Sequence, residues 1–275
     1  MNHFLLSGLA RYLHLAFGVL MMLFMVLPLF AVVPLSFSSG SFLSYPLPGF
    51  SLQWYERVFS DGPWMHALRN SLVVGVASTA LATVIGTLAA LAFARRNLPG
   101  ATTLLGLLIS PMIIPPVISG LGMYFLFGSL GLTGTLPGLV LAHTVLATPF
   151  VLINVAASLQ GFDMNLLKAA AMSGASPSRA FAGIALPIIG PGVISGALFA
   201  FMTSFDEIVV VLFIGGPSQR TLPRQMFDGI RDTIDPSIVA MSSFLLLVGV
   251  AGLLATTWLS LRAQKRAKPA AVAAN

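Results

Sequence analysis

Long apolar runs separated by short polar stretches dominate this sequence, and six of them are 23 to 26 residues long. An α-helix rises about 1.5 Å per residue, so about 20 apolar residues cross the hydrocarbon core of a bilayer. The pattern therefore predicts an all-α, polytopic membrane protein with about six transmembrane helices in a single domain. The predicted spans are residues 13–35, 71–94, 102–127, 136–159, 191–214 and 238–261.

The first and third runs have features that affect their assignment as spans. The first, residues 13–35, exceeds the apolar region of about 7–15 residues in a signal peptide, so we interpret it as a retained span. The third contains Pro111, Pro115 and Pro116. Proline lacks the N–H group that continues a helix, so neighbouring helices or water must satisfy the carbonyl groups that it frees.

Basic residues are distributed unevenly between the two ends of the spans. Six spans put both termini on one side, which holds nine of the 14 Lys and Arg residues against five on the other. The nine are Arg11, Arg95, Arg96, Lys168, Arg179, Arg262, Lys265, Arg266 and Lys268. Because Lys and Arg are enriched in cytoplasmic loops, we expect cytoplasmic N- and C-termini and a cytoplasmic loop at residues 160–188.

Composition excludes several classes of function. The chain is 57% hydrophobic and 8% charged, whereas a typical soluble domain is about 25% charged. It has no cysteine, and its four histidines are isolated, so we interpret them as structural residues and expect no metal site. No Gly-x-x-x-x-Gly-Lys-Ser/Thr motif is present, so this chain is not expected to bind ATP. The net charge of +6 lies in short clusters between apolar runs, which indicates topology signals and not nucleic-acid binding.

The loop between the fourth and fifth runs is small and polar, unlike the rest of the chain. Its residues 166–187 read LLKAAAMSGASPSRAFAGIALP. Alanine favours helix, Gly174 can adopt the left-handed conformation that ends one, and Ser176 followed by Pro177 predicts the start of another. Pro187 is expected to break that second helix. The pattern predicts two short helices that form a docking element.

The spacing of Ala169-Ala170, Gly174, Ile184 and Leu186-Pro187 resembles the "EAA" loop of binding-protein-dependent ABC importer permeases. That motif runs Glu-Ala-Ala, three residues, Gly, nine residues, Ile, one residue and Leu-Pro. The resemblance implies a coupling helix that sits in a groove on the ATP-hydrolysing subunit, whereas the alternative is an ordinary Ala-rich loop. The motif's glutamate is Lys168 here, which puts any ion pair of that glutamate in question. The implied coupling residues are Lys168, Ala169, Ala170, Gly174, Ile184, Leu186 and Pro187.

Asp206 and Glu207 form an acidic pair inside the fifth apolar run. A charge at the centre of a membrane helix costs about 2.5–3.5 kcal/mol, and less towards its ends. Counted from Pro191, where the fifth predicted span begins, the pair lies about 22 Å along a hydrocarbon core of about 30 Å, in its outer half. Two roles stay open: lining a solute pathway, or structural pairing with Arg220, Arg224 or a partner subunit. Adjacent side chains on a helix point about 100° apart, so we expect one carboxylate in each role.

The segment Ser-Phe-Asp-Glu-Ile-Val-Val at 204–210, followed by Gly216-Pro217-Ser218 and Leu222-Pro223, resembles one branch of the family. In that branch, the second permease subunit of spermidine/putrescine importers, a paired-acid version of this segment precedes a Gly-Pro-Ser loop. The resemblance implies a polyamine as the solute. Other small amines, amino acids and organophosphonates are the alternatives within the same class.

This resemblance implies a transport subunit of the bacterial inner membrane that performs no chemistry itself. The implied partners are a second, similar permease in a heterodimer, two ATP-binding subunits that hold ATP and Mg, and a periplasmic solute-binding protein. An intramembrane enzyme is one rival, but it needs a motif such as His-Glu-x-x-His, which the sequence lacks. A passive channel is the other rival, and its uptake would not require ATP.

Overall fold

A computed structural model describes residues 2–60, 62–94, 98–163, 165–232 and 234–272, with side chains described between residues 11 and 252 and at Leu254 and Trp258. Arg95 and Arg96, which close the second predicted span, lie outside the described residues. The fold is all-α. Its helices are α1 Asn2–Leu35, α2 Gln53–Phe59, α3 Pro63–Phe93, α4 Ala101–Ile113, α5 Pro116–Ser129, α6 Leu136–Leu159, α7 Asn165–Met172, α8 Pro177–Ala180, α9 Leu186–Asp206, α10 Val209–Ile214, α11 Leu222–Asp232 and α12 Ser237–Val272.

Four helical stretches among the described residues are long and apolar enough to cross a bilayer. They are Arg11–Leu35, Pro63–Phe93, Leu136–Leu159 and Pro177–Asp206. The pair α4 and α5 makes a fifth if it is counted as one broken span. The sixth predicted run lies in α12, whose described apolar part, Ser237–Gly252, is shorter than a full crossing.

The chain divides into two compact units, residues 63–227 and residues 1–62 with 228–275. In the unit of residues 63–227, α6 packs against both α3 and α9. Glycines allow this close approach: a Cβ on Gly86 of α3 would lie 2.7 Å from Cβ of Val151, and one on Gly196 of α9 would lie 2.8 Å from Cα of the same residue. Val151 of α6 is therefore held between two glycines, at the centre of the buried cluster.

The third predicted span is not one straight helix. Helices α4 and α5 meet at an angle of 109°. Ile114 is extended, with ψ of 133°, because it precedes Pro115 and proline disfavours the helical conformation in the residue before it. Pro116 then begins α5, where its missing N–H is not needed. The prolines therefore bend this segment sharply.

The unit of residues 1–62 and 228–275 contains α1, α2 and α12. Arg57 of α2 forms an ion pair of 3.0 Å with Asp235, whose other carboxylate oxygen accepts the backbone N–H of Ser237 at 2.8 Å. Phe59 stacks edge-on against Phe244 of α12, with ring centroids 4.9 Å apart. These contacts fix α2 to the beginning of α12. No residue in the apolar window of α1 is buried, as suits a helix whose surroundings are lipid or a partner.

Two stretches between the predicted spans contain helix. The polar segment 36–66 includes α2, and the second span begins at Pro63, eight residues earlier than predicted. The segment 215–237 includes α11. Charged residues within both helices lower the apolar content of these stretches, so the runs of apolar residues do not reveal them.

Candidate functional site

The predicted coupling loop begins with α7, which ends in a Schellman turn at Gly174. The N–H of Gly174 donates to the Ala171 carbonyl, and the N–H of Ala175 donates to the Ala170 carbonyl, both at 3.0 Å. Gly174 has a φ of +83°, a conformation that strains any residue with a Cβ. The left-handed turn predicted at this glycine is confirmed.

The loop has an exposed side, where small residues alternate with larger ones such as Met172, and an inner side of apolar side chains. Lys168, Ala169, Gly174, Leu186 and Pro187 are exposed, while Ala170 and Ile184 are partly buried. Leu167, Phe181 and Ile184 pack against the buried cluster formed by α3, α6 and α9. The loop is therefore attached to the helix core on one side and open to a partner on the other.

The second helix of the loop does not end at Pro187, contrary to the prediction. Helix α8 begins at Pro177, after Ser176 in an extended conformation, but the Ser176 side chain makes no capping hydrogen bond. A turn of π-helix, Phe181–Ala185, then joins α8 to α9 without interruption. The N–H of Leu186 donates to the carbonyl of Phe181, five residues earlier, immediately before Pro187, which has no N–H to donate. The wider π turn accommodates the proline. The second helix of the loop and the fifth span therefore form one continuous helical stretch, Pro177–Asp206.

The fifth predicted span is broken at the acidic pair. Helix α9 ends at Asp206, Glu207 is extended with ψ of 122°, and α10 begins at Val209. The expectation that both carboxylates project from one continuous helix is therefore wrong. The two residues lie at a helix end, where the backbone changes direction between them.

Helix α9 has two distinct faces that end at Ser204 and Asp206. Its buried face repeats every four residues, through Gly192, Gly196, Ala200 and Ser204. The opposite face is exposed, with Ile194, Leu198 and Met202 each more than 60% accessible, and Asp206 continues that stripe at the same spacing. Residues two apart on a helix lie about 200° around its axis. Asp206 therefore projects away from the helix core, at the end of an exposed apolar stripe.

The carboxylate of Glu207 has a structural role in the same turn. Its Oε1 accepts the N–H of Val210 at 2.8 Å, which satisfies one of the free N–H groups at the start of α10. At the other end of α10, Nη1 of Arg224 donates to the carbonyls of Val211 and Gly215, at 3.0 and 2.7 Å. Glu207 and Arg224 thus stabilise opposite ends of one short helix.

A buried polar cluster, His143, Ser204 and Ser78, joins α6, α9 and α3. Nδ1 of His143 lies 2.8 Å from Oγ of Ser204, and the Ser78 hydroxyl donates to the same Oγ at 2.9 Å. All three residues are buried. The sequence indicates only an isolated structural histidine here, because the partner Ser204 is 61 positions away.

Two cavities adjoin these elements. An open cleft of about 570 Å³ is lined by Met202, Thr203, Phe205, Asp206 and Glu207. Another, of about 340 Å³, lies between the ends of α3 and α6 beside the predicted coupling loop and includes Gln160. Asn154 donates to the carbonyl of Phe150 in its own helix at 2.8 Å. In the part of the chain that the structure describes, no three His, Asp or Glu side chains are grouped to hold a metal ion.

Comparison with known proteins relates this arrangement to transport. Residues 82–268 match the family described as "Binding-protein-dependent transport system inner membrane component". The chain is 30% identical to the spermidine/putrescine transport system permease protein PotC of Haemophilus influenzae, over 87% of this chain and 93% of that protein. It is 32% identical to the putrescine transport system permease protein PotI of Escherichia coli, over 88% of this chain and 89% of that protein.

A solved structure shares the fold. It is that of a bacterial ABC transporter involved in the import of the acidic polysaccharide alginate, and it matches with a TM-score of 0.69 over 90% of this chain and 96% of that one, at 14% identity. The likeness supports the helical architecture of a permease. The family match, which covers more than half of the sequence, shows that this chain belongs to the binding-protein-dependent inner-membrane transport components and is a multi-pass permease subunit of an ABC importer.

Proposed function

We propose that this permease imports a polyamine such as putrescine or spermidine, and that Asp206 lines the route of the cation. The main support for this proposal is the exposed carboxylate of Asp206, which lies at the end of the exposed stripe of α9 and lines an open cleft. The names of the PotC and PotI relatives give the solute class.

The chemistry of the cleft fits a cation. An ammonium group that leaves water loses hydration, and a fixed carboxylate offsets part of that cost. At a separation of about 4 Å the attraction is about 4 kcal/mol with an effective dielectric constant of about 20. An anionic organophosphonate would be repelled by the same group. The carboxylate of Glu207 is already engaged by the N–H of Val210, so we assign it a structural role.

The loop at 160–188 is proposed to bind the ATPase. Its exposed surface between Lys168 and Gly174, where Met172 projects from among small residues, can lie in a groove. Its direct helical connection to α9 gives a route by which ATP-driven movement reaches the turn at Asp206. ATP and Mg would be held by two ATP-binding subunits, and this chain would perform no hydrolysis.

The remaining components and the orientation complete the proposal. The exposed stripe of α9 would face a second, similar permease, and a periplasmic binding protein would deliver the solute. The distribution of Lys and Arg favours cytoplasmic N- and C-termini in the bacterial inner membrane. The coupling loop then faces the cytoplasm, where ATP is present.

Uptake of radiolabelled putrescine by charge-neutral variants tests the proposal. Asp206→Asn should raise the KM for uptake at least about tenfold, which corresponds to about 1.4 kcal/mol, at normal yield of the complex. Glu207→Gln keeps an oxygen that accepts the N–H of Val210, so it should retain uptake, whereas Glu207→Ala should lower the yield. Normal putrescine uptake by Asp206→Asn would refute the pathway assignment. Transport of an anionic solute instead would refute the solute class.

A further inference from the structure

We infer that His143 is a positioning residue for transport, which holds Ser204 and thereby fixes the end of α9 from which Asp206 projects. This inference rests on the proposed role of Asp206 in the solute pathway. His143 does not belong to the open cleft, and its effect on the solute would act through the backbone of the last helical turn.

The Ser204 contacts and the Asp206 carboxylate lie on opposite faces of the last turn of α9. Ser204 is buried on the face towards α6 and α3, where His143 and Ser78 contact its hydroxyl at 2.8 and 2.9 Å. Asp206, two residues later, lies on the exposed face. A shift or rotation of the last turn that breaks the Ser204 contacts would therefore move the carboxylate of Asp206 as well.

This turn depends on side-chain contacts because it is a helix end. The carbonyl groups of the last turn lack the intrahelical partners that continue a helix, and the chain leaves the helix at Glu207. Side chains anchor it from both directions: Ser204 to His143 on one side of Asp206, and Glu207 to the N–H of Val210 on the other. Asp206 is the residue between the two anchors.

The imidazole of His143 is poorly explained by packing alone. Its Nε2 is buried and has no hydrogen-bond partner among the described residues, and leaving a buried polar atom unpaired is unfavourable. An apolar side chain would fill the same space without that cost. The contact between Nδ1 and the hydroxyl of Ser204 is an interaction that an apolar side chain could not make.

A double-mutant cycle separates positioning from general stability. Ser204→Ala should raise the KM for putrescine uptake about tenfold, which corresponds to about 1.4 kcal/mol, with little change in Vmax. In the Asp206→Asn background the same substitution should change KM by less than about twofold, because the group that it positions is gone. His143→Asn keeps a polar group near the position of Nδ1, so it should retain more uptake than His143→Phe.

The control is Thr148→Val on α6. This change removes a buried hydroxyl that donates to the Thr144 carbonyl of the same helix at 2.7 Å. The KM of this variant for putrescine uptake should not change. Uptake is measured per amount of assembled complex, and if His143→Phe does not assemble, Ser204→Ala and His143→Asn decide. An unchanged KM in Ser204→Ala, or an equal effect in both backgrounds, would overturn the positioning role and leave the proposed function intact. Normal uptake by Asp206→Asn would overturn both.

Discussion

Helix α9, which ends at Asp206, packs closely against α6 at Gly196. This close packing gives a quantitative prediction. A Cβ on Gly196 would lie 2.8 Å from Cα of Val151, whereas ordinary contacts begin at 3.4 Å. The Cα atom belongs to the backbone of a buried helix, so the two helices must separate by about 0.6 Å. Overpacking of this kind costs about 1–3 kcal/mol.

Gly190 is the matched control, since it lies in the same helix and a Cβ there would meet nothing within 4 Å. Both Gly→Ala changes gain the same helix propensity of about 1 kcal/mol, so the difference between the variants isolates the packing cost. Thermal unfolding of the purified complex should show a lower midpoint for Gly196→Ala than for Gly190→Ala, by about 2–4 °C per kcal/mol for a chain of this size. Equal midpoints would refute the close packing of α9 against α6 at Gly196.

Topology and coupling are open to equally direct tests. The chain lacks cysteine, so Ser60→Cys should react with an impermeant thiol reagent in whole cells and Ser178→Cys should not; the reverse pattern would contradict the orientation. Gly174→Val, which forces a β-branched residue to a φ of +83°, should abolish ATP-dependent uptake while membrane insertion stays normal. Wild-type uptake would exclude a coupling role for this turn. Lys168→Glu should be tolerated if the ATPase surface is of the usual type, and severe loss would indicate an acidic partner instead.

The apolar pattern and the local turn chemistry are what the sequence predicts well. Long apolar runs identify the membrane helices because length and composition are local properties. The turn at Gly174 is predictable for the same reason: a left-handed helix end depends on residues within one turn. Apolar runs do not reveal α2 and α11, because both helices contain charged residues; the Arg57–Asp235 ion pair of α2 also joins residues that are far apart in sequence.

The break at the acidic pair, the π turn and the buried polar cluster do not follow from the pattern of apolar residues. Nothing local distinguishes Glu207 from a residue in mid-helix; the break there coincides with its bond to Val210 and with Arg224 at the far end of α10. The effect of Pro187 is misjudged because a π turn, which needs one unusual hydrogen bond, accommodates it. His143 gives no signal in sequence, since its partner Ser204 is on another helix.

Reconstitution into proteoliposomes would show whether this permease belongs to an ATP-driven putrescine importer. The complex would be purified through a tag on this chain with the subunits that co-purify, and supplied with its binding protein, external putrescine and internal ATP. We expect putrescine to stimulate ATP hydrolysis and to accumulate inside the vesicles only when ATP is present. Putrescine entry without ATP, or ATP hydrolysis that responds to a neutral or anionic solute and not to putrescine, would contradict this expectation.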